Sequence, residues 1–324
     1  MAATIYRDAL RQCLIEEMER DDDVFLIGED IGRYQGTFRV TAGLFDQFGE
    51  RRVVDTPITE PAIVGLANGA AMAGLRPVVE MMTMSFSILA LDQIINHAAK
   101  IHYMTGGEIK VPIVIRGPGG AANQLSAQHS QSLEGWYAHC PGLKVVAPAT
   151  PACAYGLLRS AIRDDNPVIF TENPGLYGLK GEIPDDKDFT IPFGSARIAR
   201  EGKDVTLIAY SRMVHVCLAA AQTLAGEGVE AEVVDVRSLL PLDTETILAS
   251  VRKTHRAVVV YEDWRSGAFG AEIAARVGEL CFDDLDAPVG RVGGLNVPMP
   301  YTRPLELLCI PNDHDVVDAV HRLN

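Results

Sequence analysis

The sequence lacks the features that mark disulfide-rich, membrane-spanning and nucleic-acid-binding proteins. No apolar run approaches the ~20 residues that a membrane helix needs. Lysine and arginine number 29 against 43 aspartate and glutamate, a net charge of −14, which argues against nucleic acid or an anionic membrane as a partner. No Cys-x-x-Cys pair occurs, and apolar neighbours predict buried free thiols in a reducing compartment. The six cysteines are at positions 13, 140, 153, 217, 281 and 309.

Common nucleotide-binding and hydrolase motifs are missing as well. Gly117-Pro118-Gly119-Gly120 follows an apolar run, but it has neither Gly-x-Gly-x-x-Gly spacing nor a phosphate-loop lysine. There is no Gly-x-Ser-x-Gly elbow and no His-Glu-x-x-His zinc pair. Residues 1–11 contain no basic-then-apolar signal region, so we predict a cytoplasmic protein.

What is present is an alternation of apolar strands and amphipathic helices. Hydrophobic residues make up 48% of the chain, enough for two buried cores. Strands without polar alternation are buried on both faces, and helices between them indicate parallel sheets. A stretch rich in glycine and proline at 173–194 predicts a linker. Strands are predicted at 24–27, 76–80, 111–115, 143–147, 167–171, 205–209, 231–236 and 257–261, and helices around 5–20, 91–101, 151–163, 213–226 and 243–252.

The predicted fold class is therefore α/β, with two domains at 1–185 and 186–324. Residues 61–75 are rich in glycine and alanine, and Gly65, Gly69 and Ala73 would form one smooth face of a helix. Such a face allows another helix to approach closely, either within the fold or across a subunit interface. Composition and spacing alone predict a two-domain α/β protein and no particular activity.

Several motifs closely resemble the β subunits of thiamine-diphosphate-dependent 2-oxoacid dehydrogenases. The resemblance runs from about residue 4 to residue 324 and keeps the family's order of motifs. It implies a two-domain thiamine-diphosphate-binding fold, with a pyrimidine-binding parallel-sheet domain followed by a transketolase C-terminal-like α/β domain. The motifs are Asp55-Thr56-Pro57-Ile58-Thr59-Glu60, 65–77 (GLANGAAMAGLRP), Gln128-His129-Ser130-Gln131, 141–146 (PGLKVV), 161–167 (AIRDDNP), Asp286-Ala287-Pro288 and 297–301 (VPMPY).

The resemblance implies roles for four side chains. Glu60 matches the carboxyl that hydrogen-bonds the cofactor's aminopyrimidine and shuttles the proton needed to activate the thiazolium carbon. Phe86 matches an aromatic near that aminopyrimidine, and a core phenylalanine is a compatible alternative. His129 matches an active-site histidine that contacts substrate or assists acyl transfer, although a lone histidine is more often structural. Glu29 resembles an acidic residue that links two active sites, and the alternative is a helix-capping or surface role.

A cation site is also implied by the resemblance. Ile113, Ala161, Ile162, Asp164 and Asn166 resemble a potassium site whose ligands are mostly backbone carbonyls. Hard oxygen donors on a tight turn suit a monovalent cation. The alternative is that this turn only ends a helix.

The chain resembles only half of a thiamine-diphosphate site. Enzymes of this kind hold the diphosphate through magnesium, generally with a Gly-Asp-Gly segment, and none occurs in this sequence. The resemblance therefore implies an α subunit that binds magnesium and diphosphate, in an α2β2 heterotetramer with cofactors at α/β interfaces. It also implies a dihydrolipoamide acyltransferase with a lipoyl domain as partner.

In some bacterial relatives the C-terminal domain of the β subunit docks a small basic domain of that acyltransferase. Asp283, Asp284 and Asp286 lie in the corresponding region, where complementary charge would steer the encounter. A solvated acidic loop is the alternative interpretation.

We predict that the substrate is pyruvate, which is decarboxylated while the lipoyl group is reductively acetylated. The segments 73–77 and 116–119 look closest to the pyruvate-specific branch of the family, although Leu89 stands where that branch often has glutamine. Acetoin and branched-chain 2-oxoacids are the alternative substrates. A non-catalytic scaffold of the same fold is the alternative of another class, and the presence of Glu60, Phe86 and His129 argues against it.

Overall fold

The computed structural model describes residues 1–121 and 123–323. The strands are β1 (Ala2–Ile5), β2 (Val24–Gly28), β3 (Val53–Asp55), β4 (Arg76–Glu80), β5 (Val114–Pro118), β6 (Lys144–Val146), β7 (Val168–Glu172), β8 (Lys180–Ile183), β9 (Arg197–Arg200), β10 (Val205–Ala209), β11 (Ala231–Asp235), β12 (Ser238–Leu240), β13 (Ala257–Trp264) and β14 (Gly290–Gly294). The α-helices are α1 (Tyr6–Arg20), α2 (Leu44–Phe48), α3 (Glu60–Met72), α4 (Ala99–Met104), α5 (Glu134–Ala138), α6 (Pro151–Arg163), α7 (Met213–Gly226), α8 (Thr244–Thr254), α9 (Phe269–Leu280), α10 (Arg303–Cys309) and α11 (Asp313–His321).

The chain forms two compact units whose segments alternate along the sequence. The first unit consists of Met1–Gly119, Tyr137–Val146 and Thr150–Pro192, and the second of Gly120–Trp136, Ala147–Ala149 and the residues from Phe193 onwards. Residues 120–136 therefore belong to the second unit, although the sequence on both sides belongs to the first. The simple boundary between residues 185 and 186 stays a prediction.

Six strands of the first unit run parallel in the order β6-β7-β5-β4-β2-β3. Every residue of β2, β5 and β7 is buried, as expected for apolar strands covered on both faces. The parallel arrangement brings the carboxyl ends of β2, β3 and β4 to one edge, because Gly28 aligns with both Asp55 and Glu80. The predicted parallel α/β sheet is confirmed.

The two ends of the first unit pair with each other. Strand β1 runs antiparallel to β8, with Ala2 opposite Ile183. The first helix consequently begins at Tyr6, slightly later than its apolar spacing predicts. The prediction of a linker throughout 173–194 was wrong for residues 180–183, because this pairing with a distant strand gives the short segment its backbone partners.

The helix predicted around 91–101 is not a continuous α-helix. A 3-10 segment, Met84–Ala90, is followed by a wider π-type segment, Gln93–Ala98, and then by α4. The hydroxyl of Thr83 accepts the Ser85 N–H at 3.3 Å and caps the 3-10 segment. Such changes of helical pitch leave the apolar spacing almost intact, so the sequence pattern does not reveal them.

The second unit contains a five-stranded sheet in the order β14-β13-β10-β11-β9. Strand β9 is antiparallel to β11, whereas the other pairs are parallel. Helices α7 and α11 contribute to its apolar core, and the predicted strands and helices between 205 and 261 are confirmed. Core residues include Leu207, Val214, Cys217, Val233, Val258 and Val316.

All six cysteines are free and buried, which confirms the prediction of unpaired thiols. Burial raises the pKa of the Cys13 and Cys217 thiols above the ordinary value. Across residues 1–121 and 123–323, no helix has the length and apolar character needed to cross a membrane.

Candidate active site

Glu60 lies at the carboxyl edge of the parallel sheet in the first unit. It is the first residue of α3 and follows the turn after β3, with Pro61 fixing the start of the helix. The side chain is 5% exposed. Ligands of open α/β sheets bind at this edge, and the helix N-terminus favours a carboxylate there. The position therefore fits a carboxyl that contacts a buried ligand.

Glu29 lies at the same edge, directly after β2. It is 7% exposed, and its Oε1 makes no hydrogen bond within the described part of the chain. Burial, together with the negative charges of Glu60 and Asp30, raises the pKa of Glu29 above its ordinary value. Glu60 is therefore close enough for its charge to affect Glu29. The buried Oγ1 of Thr56 likewise makes no hydrogen bond with described residues.

Asp55 holds the loop that follows Glu29, a role that the sequence reasoning missed. Its carboxylate accepts the Gly32 N–H at 2.6 Å and the Arg33 N–H at 3.0 Å. A Cβ on Gly32 would lie 2.8 Å from Asp55 Oδ2, so the close approach requires glycine. The position of Asp55 at the start of the motif that ends in Glu60 could have singled it out.

Phe86 is half-buried in the 3-10 segment of the same unit. Its N–H donates to the Thr83 carbonyl at 3.0 Å, and Thr83 Oγ1 donates to the Pro118 carbonyl at 3.2 Å. The hydroxyl of the neighbouring Ser87 hydrogen-bonds that of Tyr137. These contacts fix the segment beside the carboxyl end of β5.

A buried charged cluster crosses the carboxyl ends of three strands. Arg116 donates to both oxygens of Glu172, at 2.5 and 2.7 Å, and also pairs with Glu80. Tyr177 adds a hydrogen bond to Glu172 at 2.7 Å. Burial raises the pKa of Glu80 even though Arg116 opposes the shift. This cluster was not predicted from the sequence. Its one visible sign was Arg116, a charged residue directly after the apolar run 111–115.

His129 belongs to the second unit, whereas Glu29, Glu60 and Phe86 belong to the first. The histidine is exposed and ends the 3-10 segment Ala127–His129. Two carboxylates hold the segment that carries it: Glu262 accepts the Ala121 N–H at 2.6 Å, and Glu306 accepts the Gln124 N–H at 2.9 Å.

A second pair of carboxyl side chains, Glu134 and Asp263, lies at the C-terminal end of the segment that carries His129. Burial and the charge of Asp263 raise the pKa of Glu134 to about 8, and burial raises the pKa of Asp263 to about 7. A Cβ on Gly135 would lie 3.5 Å from Asp263 Oδ2, so this carboxylate faces the backbone beside Glu134. Tyr210 faces the pair, since burial and both carboxylates raise its pKa. No pattern in the sequence indicated this pair.

The candidate potassium residues converge on the turn after α6. The Arg76 guanidinium donates to the carbonyls of Ile162 and Asp164, both at 3.1 Å. Asp164 Oδ1 accepts the Asn166 N–H at 2.8 Å, while Lys144 pairs with its other oxygen. The remaining candidates, Ala161 and Ile113, are buried. Positive side chains therefore already contact part of this oxygen set.

The three aspartates proposed for docking differ in their surroundings. Asp284 pairs with Arg252 at 3.3 Å, whereas Asp283 and Asp286 are exposed and form no ion pair with the described residues. A groove of about 750 Å³ lies beside Asp286, and Phe282 next to it is 76% exposed. The surface thus combines negative charge with an apolar groove.

Two family models match consecutive parts of the chain. Residues 3–180 match the family described as the transketolase pyrimidine binding domain, and residues 194–316 match the transketolase C-terminal domain. A solved structure described as "Split gene transketolase, inactive beta4 tetramer" has a TM-score of 0.79 and 24% identity, covering 98% of this chain and 97% of that chain. The protein is therefore of the transketolase-type α/β class.

Curated relatives narrow this class to one family. The β subunit of the pyruvate dehydrogenase E1 component from Drosophila melanogaster, a mitochondrial protein, is 53% identical over 97% of this chain and 87% of its own length. The subunit of the same name from Rhizobium meliloti is 52% identical over 99% of this chain and 70% of its own length. The chain belongs to the family of pyruvate dehydrogenase E1 component β subunits, which confirms the resemblance seen in its motifs.

Proposed function

We propose that the chain is the β subunit of an acetyl-transferring pyruvate dehydrogenase. This enzyme decarboxylates pyruvate and reductively acetylates the lipoyl group of a dihydrolipoamide acyltransferase. The observation that carries the proposal is the 52–53% identity to subunits of that name over at least 97% of the chain. The buried carboxyls of Glu29 and Glu60 favour a catalytic protein over a scaffold.

Residues at the sheet edge fit the pyrimidine half of thiamine diphosphate. The buried Glu29 Oε1 and Thr56 Oγ1 lack hydrogen-bond partners among the described residues, so the edge has polar capacity available for a ligand. Glu60 would hold the aminopyrimidine ring, with Phe86 against it. When bound, thiamine diphosphate supplies the nucleophilic carbon and the electron sink for decarboxylation.

The chain's own contribution is the positioning and movement of protons. Glu60 would exchange a proton at a carboxyl oxygen with the pyrimidine, a step that burial away from bulk water makes specific. Burial and the charge of Glu60 raise the pKa of Glu29, which suits a carboxyl that links proton-transfer sites. His129, with its side chain exposed, would hydrogen-bond the substrate or assist transfer of the acetyl group.

A partner chain is expected to cover the surface around Glu60. Ile58, Leu66 and Leu89 are 81%, 60% and 64% exposed, unusually high for large apolar side chains next to a catalytic carboxyl. The face of α3 at Gly69 is open, with no atom within 4 Å of a Cβ placed there. We propose that an α subunit covers this surface in an α2β2 heterotetramer and binds magnesium with the diphosphate.

The decisive experiment compares Glu60→Gln with wild type, each co-expressed with its α partner and supplied with thiamine diphosphate and magnesium. We expect an intact heterotetramer and a roughly 10²–10⁴-fold lower rate of dye reduction with pyruvate, the usual effect of losing an acid–base group. Glu50→Gln, which changes an exposed glutamate, is the matched control. Near-normal turnover of Glu60→Gln would contradict the assigned role. Acetoin and branched-chain 2-oxoacids, tested in parallel, establish the substrate preference.

Docking of the acyltransferase is proposed at Asp283, Asp284 and Asp286. The unpaired Asp286 beside the apolar groove provides the charge and the contact area that a small basic domain needs. Asp286→Lys should weaken acyltransferase binding and reduce its dependence on salt. Asp284→Asn should have a smaller effect, because Arg252 already partly neutralises Asp284. Equal binding of Asp286→Lys and wild type in calorimetry would exclude this surface.

Two finer proposals need their own measurements. We propose that a potassium ion binds at the turn formed by Ile113, Ala161, Ile162, Asp164 and Asn166. The protein should then have a higher thermal midpoint in a potassium salt than in a tetramethylammonium salt. Equal midpoints would show that the turn only ends a helix. The cytoplasmic compartment also stays a prediction, because the relatives include mitochondrial proteins. Fractionation of the source cells would test it.

A further inference from the structure

Three arginines meet at one cleft of the second unit. Arg265, Arg291 and Arg322, together called the arginine cleft below, line two cavities of about 590 and 430 Å³ that share these side chains. Arg265 follows β13, Arg291 lies in β14, and Arg322 follows α11, so three separate elements contribute. Cavities of this size are typical of small-molecule sites.

The three guanidinium groups lack carboxylate partners. No carboxylate of residues 1–121 or 123–323 lies within 4.0 Å of any of them. By contrast, Arg252 and Arg276 of the same unit pair with Asp284 and Glu272 at 3.3 and 2.7 Å. In a chain with 43 acidic and 29 basic residues, convergence of three such arginines leaves a local excess of positive charge that an anion would neutralise.

The two cavities differ in charge. The larger one has no acidic residue in its lining, which Pro288, Val289 and Ala319 complete. The smaller one adds Asp315 and Asp318 together with apolar side chains. Asp315 Oδ2 already accepts the Asn312 N–H at 2.9 Å, so Asp318 is the carboxylate with more capacity to accept further hydrogen bonds.

We propose that the arginine cleft binds a phosphate ester of a small molecule. The phosphate or pyrophosphate group would occupy the acid-free cavity, because the planar guanidinium fork matches phosphate oxygens. The organic part would extend into the other cavity, where Asp318 accepts a hydrogen bond from a hydroxyl or amino group and Leu308 and Ile310 provide apolar contact. This site uses none of the residues proposed for the dehydrogenase reaction.

The test measures binding of sodium pyrophosphate and of ADP to the heterotetramer loaded with thiamine diphosphate, by calorimetry at fixed free magnesium. Loading fills the diphosphate site of the proposed enzyme, so remaining binding reports another site. Arg322→Gln and Arg265→Gln alter exposed side chains and should each lower the affinity about tenfold, as expected for a lost charge-assisted hydrogen bond. Arg51→Gln, an equal charge change at an exposed position in the first unit, should bind like wild type.

Tighter binding of ADP than of pyrophosphate would support the two-cavity arrangement. Absence of saturable binding to the wild-type protein would overturn the proposal. So would an Arg51→Gln variant as weak as Arg322→Gln, because the attraction would then come from overall charge. ADP binding no tighter than that of pyrophosphate would overturn the assignment of the organic part.

Discussion

The buried pair of Glu134 and Asp263 makes the stability of the second unit depend on pH. Their folded-state pKa values, about 8 and about 7, lie above the ordinary values of 4.5 and 3.8. The folded protein therefore binds protons more tightly than the unfolded chain. The pair contributes fully below about pH 4, and its contribution is lost as the pH rises through 7 and 8.

The size of the loss follows from the shift. One pKa unit corresponds to roughly 1.4 kcal/mol. The two carboxyls titrate as a unit, so their shifts do not simply add. Between pH 5 and pH 9 the folded-state pKa values of about 8 and about 7 are both crossed, so we expect the free energy of unfolding to fall by roughly 4–7 kcal/mol, the lower figure being that of Glu134 alone. The charge of Glu262 adds to the raised pKa values of both carboxyls, whereas a hydrogen bond from Tyr210 opposes the shift at Glu134.

Glu134→Gln should remove roughly half of this pH dependence, because burial keeps the pKa of Asp263 raised in the variant. At pH 9 the variant should be more stable than wild type by about 3 kcal/mol, since only one buried carboxylate must then ionise. The assay is urea unfolding followed by tryptophan fluorescence. The chain has two tryptophans, Trp136 and Trp264, and these flank the pair in the second unit. Glu279→Gln, at an exposed helix position, is the control. Parallel pH profiles for Glu134→Gln and wild type would refute the reasoning.

Two further substitutions test the first unit. Arg116→Met should cost about 3–5 kcal/mol in urea unfolding, because it leaves Glu80 and Glu172 buried without their cation; a loss below 1 kcal/mol would show that the cluster is hydrated. Gly142→Ala should lower the thermal midpoint far more than Gly49→Ala. Both glycines have positive φ, 101° and 76°, but only at Gly142 would the new Cβ meet an atom, the Ala99 carbonyl oxygen at 1.9 Å. Equal midpoints for the two variants would show that the backbone shifts to accept the methyl group.

The regular elements could be predicted because their signals are local. The apolar runs that became β2, β10 and β13 each carry enough buried surface to specify a strand without reference to the rest of the chain. Strand β8 could not be found in this way. Its partner is β1, far away in sequence, and its own residues, Lys180–Ile183, include glycine and charged side chains.

The candidate site was predictable only where a motif carried it. Glu60 stands in a motif that resembles a known family, whereas the Glu134–Asp263 pair and the arginine cleft combine residues far apart in sequence. An isolated aspartate or arginine has the same local pattern whether it is solvated or buried against another charge. The charge environment of these groups follows from the tertiary fold, which a single sequence does not display.

The interleaving of the two units limits how the gene could be divided. A break after residue 192 would leave segment 120–136 in the first polypeptide, away from the unit to which it belongs. The N–H groups of Ala121 and Gln124 would lose their acceptors, Glu262 and Glu306, until the second polypeptide arrived. In the first polypeptide alone, the loop that carries His129 would therefore lack these two hydrogen bonds. Two such pieces would have to assemble before these two hydrogen bonds could form.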